Sequence, residues 1–219
     1  MNKYLKNIPG IMDALEKHFN YNEETTLKRM SKKRDPFKTL ISCLLSLRTQ
    51  DKNTEMVSKK LFAVADTPEE IANLPTQKLE KLIFSAGHYR KKAQTLKHVS
   101  TVLIETFKSK VPDTKEELMS IKGVGPKTAN IVLVFVFQKP ALPIDTHCHR
   151  IPNRLGWVAT KTPEKTEVEL GKILPRKYWL GFNEMFVSFG QTVCLPISPW
   201  CGKCPEKSCP KTGVGERRR

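Results

Sequence analysis

The sequence predicts an all-α protein, and three observations carry that prediction. Apolar residues recur at helical spacing over residues 8 to 20 and 36 to 64. Two segments, Asp66-Thr67-Pro68-Glu69-Glu70 and Pro112-Asp113-Thr114-Lys115-Glu116-Glu117, read as helix starts. No pair of alternating apolar runs flanks a tight turn, as strand hairpins require, and the short linkers suit helix-to-helix connections.

In the second periodic stretch Leu40, Leu44 and Leu47, then Val57 and Leu61, line apolar faces and are expected in the core. At Asp66 to Glu70 a capping side chain, a first-turn proline and two acidic residues at the positive helix end coincide, and short helices are expected to follow. The second start signal places a helix directly before Ile121-Lys122-Gly123-Val124-Gly125-Pro126-Lys127-Thr128-Ala129, so this glycine turn joins two helices. The run Ile131 to Phe137 has the β-branched and aromatic content of a buried strand. Its position after a glycine turn and a proline assigns it instead to a fully buried helix. The basic tail Arg217-Arg218-Arg219 is expected to be disordered.

The 219 residues and 39% apolar content suffice for one large or two modest domains with a real core. Lys and Arg number 38 against 22 Asp and Glu, a formal charge of +16. That balance suits a polyanion, nucleic acid first, although solvated lysine faces give the same total. The N-terminus lacks an apolar signal core and the longest apolar run is seven residues, which supports neither export nor membrane spanning. Cys43 and Cys148 stand alone, whereas Cys194, Cys201, Cys204 and Cys209 fall within sixteen residues. In an unexported chain such clustering favours a metal over disulfides.

Gly123 and Gly125 permit positive φ and close backbone approach, and Pro126 presets the first helical φ. Amides exposed where the turn enters the helix, together with the helix dipole, make a site for a phosphate oxygen, a contact that holds DNA without reading its sequence. The spacing C-x6-C-x2-C-x4-C suits four-thiolate ligation of an iron–sulfur cluster or of zinc, and does not choose between them.

Taken together, the hairpin, Ile144-Asp145-Thr146-His147 and the cysteine run resemble the helix-hairpin-helix DNA glycosylases of the endonuclease III family, from about residue 30 to Cys209. That family's usual motifs read L-P-G-V-G-x-K-T-A, V-D-T-H and C-x6-C-x2-C-x5-C. This chain departs at Ile121, Lys122 and Ile144 and has a last cysteine spacer one residue shorter. The resemblance implies Lys127 as nucleophile with Asp145 as the catalytic carboxylate, a 4Fe-4S cluster on the four cysteines, and DNA contacts from Gly123, Val124 and Gly125. Lys122 adds a possible phosphate contact. It also implies a six-helix barrel domain over residues 29–139, with the helix-hairpin-helix at about 114–137, and an iron–sulfur domain formed from residues 1–28 and 140–219. Ser46-Leu47-Arg48-Thr49-Gln50-Asp51 and Gly87-His88-Tyr89-Arg90-Lys91-Lys92-Ala93 resemble the loops that fill the gap left by a flipped base, placing Arg48 and His88 at their tips. Arg90, Lys91 and Lys92 read as an unspecific basic face.

The residues themselves give a compatible chemistry. A lysine attacks C1′ of deoxyribose only as the neutral amine, and the positive end of a helix and an apolar environment both disfavour the ammonium. Asp145 would stabilise positive charge on the sugar or, in the plainer reading, cap a helix. The expected function is a bifunctional DNA glycosylase and AP lyase that removes oxidised pyrimidines from duplex DNA. It would act as a monomer on damaged or abasic double-stranded DNA, in the nucleoid of a prokaryote or the nucleus of a eukaryote. The rivals are a monofunctional mismatch or uracil-type glycosylase of the same fold and a non-catalytic DNA-binding module stapled by its metal.

Overall fold

The computed structural model describes residues 7–18, 35–49 and 51–215, and these contain helices and turns but no strand. They divide into two compact units, one ending at Lys139 and the other combining the N-terminal helix with the chain from Pro140 onward. The expected boundary at residues 28 and 29, residues 19 and 20 of the first periodic stretch, and the tail Arg217 to Arg219 lie outside the described residues.

In the first unit α2 (Pro36–Ser46) and α3 (Asp51–Phe62) replace the single periodic stretch expected over 36 to 64. Asp35 caps α2 through a bond from the Lys38 amide, and Leu47 turns out of the helix at φ −57°, ψ 117°. Leu40, Leu44, Val57 and Leu61 are buried as expected, whereas Leu47, 42% exposed, is not a core residue because the helix ends there. Next come α4 (Pro68–Asn73) and α5 (Thr76–Leu82). Thr67 and Glu70 form a reciprocal capping box at the predicted start of α4. The long α6 (Tyr89–Phe107) packs against both, burying Leu96, Val99 and Leu103. Thr114 caps α7 (Lys115–Ser120), which leads through the glycine turn into α8 (Pro126–Phe135). Every residue of α8 from Thr128 to Phe135 is buried, and α2 and α7 pack against it. Burial on all sides, not strand structure, explains its apolar run, but the helix ends at Phe135, two residues short of the expected Phe137, which is half-buried.

The second unit comprises α1 (Ile8–His18), α9 (Thr146–Arg154), α10 (Pro163–Ile173), a 3-10 turn at Arg176–Tyr178, α11 (Trp179–Thr192) and a second 3-10 turn at Cys201–Lys203. Ile8, Ile11, Met12 and Leu15 of α1 join Phe182, Phe186 and Phe189 of α11 in one core. Phe182 stacks on Phe186 at 4.2 Å. Tyr178 ties the segment before α11 to α1 by donating to Asp13 Oδ1 at 2.8 Å. No helix among the described residues is long and apolar enough to cross a membrane.

Candidate functional site

The turn between α7 and α8 is closed by the Val124 amide donating to the Ile121 carbonyl at 2.9 Å, and Val124 is buried beneath it. Gly123 sits at φ +105°, and a Cβ there would lie 2.7 Å from Thr95 Cγ2. Both facts demand glycine. Gly125 is different: its φ of −93° is open to any residue, and a Cβ would meet nothing within 4 Å. The positive φ that both glycines permit is used only at Gly123. Gly125 is the cap of α8, but having no side chain it leaves the amides of Lys127 and Thr128 uncapped from its own position. Those amides and the open space over Gly125 form a place where an acidic oxygen can approach.

Lys127 lies half-buried in the first turn of α8, directly after Pro126, and Lys122 is exposed on the turn. Cys43 of α2 is fully buried, and burial pushes its thiol up to about 12 while the positive charge of Lys127 opposes the rise. Lys127 thus sits within electrostatic reach of a protonated, inert thiol.

Asp145 belongs to the other unit. It is half-buried at the cap of α9, where its Oδ1 accepts from the amides of His147 at 2.9 Å and Cys148 at 2.8 Å. Neither bond uses Oδ2. His147 Nδ1 lies 3.1 Å from Arg150 Nη2, and that guanidinium also donates to the Cys194 carbonyl at 2.7 Å, which gives His147 an orienting and packing environment.

Arg48 and His88 come together although forty residues separate them in the chain. With Leu44, Leu47, Lys91, Lys92, Thr95 and Gly123 they line one open cleft. Both are exposed and both occupy the left-handed region, at φ 54° and 57°. His88 stands at the cap position of α6 but makes no side-chain capping bond, so capping does not account for it. Lys92 departs from the basic face expected of it. It is 8% exposed, donates to the Leu45 carbonyl at 2.7 Å and Thr49 Oγ1 at 2.6 Å, and is lowered by burial to about 8. The available signal was its register: Lys92 lies four and seven residues before Leu96 and Val99 on the buried stripe of α6.

Cys194, Cys201, Cys204 and Cys209 all line one small cavity, and the shortened last spacer does not remove Cys209 from it. Burial raises the thiols of Cys204 and Cys209, the latter to about 11, and the charges of neighbouring cysteines push the same way. Among the described residues no three Cys, His, Asp or Glu side chains gather closely enough to hold a metal ion. Arg154, missed in the sequence, is buried behind this loop on the face of α9 that also buries Ile151. It donates to the Leu195 carbonyl at 2.6 Å, the Pro196 carbonyl at 2.8 Å and Cys194 Sγ at 3.5 Å. The Lys211 amide approaches Cys209 Sγ at 3.4 Å. Four thiols around a void, with a guanidinium and an amide aimed at two of them, suit an anionic metal–sulfur group. Trp200 packs locally in the same wall.

Residues 41–176 match the HhH-GPD superfamily of base excision DNA repair proteins. Endonuclease III of Thermotoga maritima is 51% identical over 176 residues, covering 80% of this chain and 83% of that protein. A solved structure of a trapped endonuclease III–DNA covalent intermediate superposes with a TM-score of 0.84 at 34% identity, covering 92% of each chain. A non-covalent endonuclease III–DNA complex matches over the same shares, with a TM-score of 0.83.

Proposed function

The chain belongs to the HhH-GPD superfamily of base excision DNA repair proteins, and from that premise we propose that it is an endonuclease III: a bifunctional DNA glycosylase and AP lyase acting on oxidised pyrimidines in duplex DNA. The observation that carries this reading is the position of Lys127, a half-buried residue directly after Pro126 at the mouth of the glycine hairpin.

In this reading, the uncapped amides at the start of α8 hold a DNA phosphate and bring the sugar of a flipped nucleotide to Lys127. The neutral amine attacks C1′ and the damaged base leaves with the bonding pair and a proton. Asp145 offsets the positive charge that develops on the sugar and helps move protons. Loss of the second amine proton and opening of the sugar give a Schiff base on Lys127. Removal of a C2′ proton then expels the 3′ phosphate by β-elimination, and hydrolysis frees the enzyme. Arg48 and His88 fill the space vacated by the flipped nucleotide, arginine by donating to the orphaned base and histidine by stacking.

The four cysteines are the ligands of a 4Fe-4S cluster in the same proposal. Family membership and the four-thiolate donor set support this iron–sulfur cluster over zinc. When bound, the group supplies folding energy to a loop with little core of its own.

Borohydride trapping on a duplex carrying thymine glycol tests the reaction. The parent protein is expected to form a covalent adduct and Lys127→Gln to form none. An adduct that survives in Lys127→Gln would remove Lys127 from the chemistry, and a parent that forms no adduct would remove the lyase activity altogether.

A further inference from the structure

Arg48 and His88 face their cleft in left-handed conformations, at φ 54° and 57°. For a non-glycine residue such a conformation is strained and persists only where the surroundings over-determine it. Neither residue's own side chain supplies that determination: both are exposed and His88 makes no capping bond. The surroundings do. The buried Lys92 amine donates to the Leu45 carbonyl at 2.7 Å, near the end of α2, and to Thr49 Oγ1 at 2.6 Å, beyond Arg48. The Gly87 amide donates to that same Thr49 Oγ1 at 3.2 Å. At Gly87 the two loops are in backbone contact, since a Cβ there would fall 2.5 Å from the Arg48 carbonyl oxygen. Lys92, Thr49 and Gly87 therefore form a chain of bonds that brackets Arg48 on both sides and fixes the residue before His88. A lysine amine buried at a cost in desolvation, lowered to about 8, is a poor choice for packing alone.

We propose that Lys92 is a positioning residue for base extrusion: through Thr49 it locks the loops carrying Arg48 and His88 to each other, so that both tips enter the DNA together. Lys92 itself touches neither the damaged base nor the reacting sugar. The proposal rests on the glycosylase reading above, since only an enzyme that extrudes a base from a duplex needs two tips held in register.

The test separates extrusion from chemistry. Single-turnover base release from a thymine-glycol duplex needs the nucleotide to be drawn out of the stack. Borohydride trapping on a single-stranded abasic oligonucleotide does not, because there is no partner strand to hold apart. Lys92→Met should slow the duplex reaction by roughly tenfold or more while changing single-strand trapping by less than about threefold. Thr49→Val removes the shared acceptor from the loop side and should reproduce the same split, which keeps the idea testable should Lys92→Met fail to fold. The fluorescence of 2-aminopurine placed opposite the lesion should rise on binding the parent, and rise less with either variant. Equal losses on both substrates, or no loss on the duplex, would overturn the positioning role while leaving the enzyme assignment intact. A parent protein inert on both substrates would overturn the assignment, and this role with it.

Discussion

Gly123 and Gly125 are indistinguishable as letters in a G-V-G turn, yet they answer to different constraints. Gly123 combines φ +105° with a would-be Cβ contact of 2.7 Å to Thr95, so the fold itself requires it. Nothing in the fold requires Gly125, whose φ is −93° and whose side-chain position is empty. Space left clear over uncapped amides is useful only to something that arrives from outside. Gly123→Ala is therefore expected to destabilise the protein by about 1–2 kcal/mol in urea denaturation. Gly125→Ala should unfold within about 0.5 kcal/mol of the parent and yet bind duplex DNA more weakly in a fluorescence anisotropy titration. Equal stability of the two variants would remove this division of labour. The presence of the turn was legible in sequence, because glycine followed by proline leaves a local mark. The separate roles were not, because Thr95 approaches from another helix.

At the scale of an element, Asp145 and α9 show how a cap and a catalytic candidate occupy one side chain. Oδ1 accepts both amides at the helix start, and that function needs an oxygen but not a charge. Asp145→Asn keeps the acceptor and should leave the melting temperature nearly unchanged while lowering base release by about 100-fold or more. Asp145→Ala should lose base release and, in addition, about 1 kcal/mol of stability. If Asp145→Asn releases thymine glycol at the parental rate, Asp145 is a cap alone. Helix starts of this kind were readable residue by residue: Thr67, Thr114 and Asp145 all cap helices from the positions their neighbours announced. The Ile131 to Phe137 run was ambiguous in composition, because full burial erases the amphipathic period that identifies a helix. Lys92 was misread for the opposite reason. It looked like one more member of Arg90-Lys91-Lys92, although its register on α6 pointed inward with Leu96 and Val99.

For the whole molecule, the charge of +16 and the two units bear on different properties. The charge sets attraction for a polyanion: neutralising roughly five phosphates would give log K a slope near −4 to −5 against log salt. The units set what depends on the metal. The first has its own core of α2, α6 and α8 and no cysteine from the cluster loop. In the second, the segment from Cys194 to Cys209 holds one 3-10 turn, exposes Ile197 at 77%, and is tied to α9 chiefly through Arg154 and Arg150. Treatment with an iron chelator, or replacement of one proposed ligand by Cys209→Ser, is expected to lose amide protection in this loop and in α9, while α6 and α8 keep theirs in hydrogen exchange. Uniform loss, or none, would argue against a structural metal confined to this unit.

The sequence by itself determined the helical class, the glycine hairpin, the caps and the candidates Lys127, Asp145 and the four cysteines, since each leaves its signal within a few covalent neighbours. Tertiary structure alone decided that Lys127 comes within electrostatic reach of the buried Cys43, that Arg154 stands behind the cysteine loop, and that Arg48 and His88 share one cleft. Lys92 reaches Leu45 across 47 positions and Thr49 across 43. Bonds of that span depend on how separate helices pack, and no spacing rule within one helix contains them.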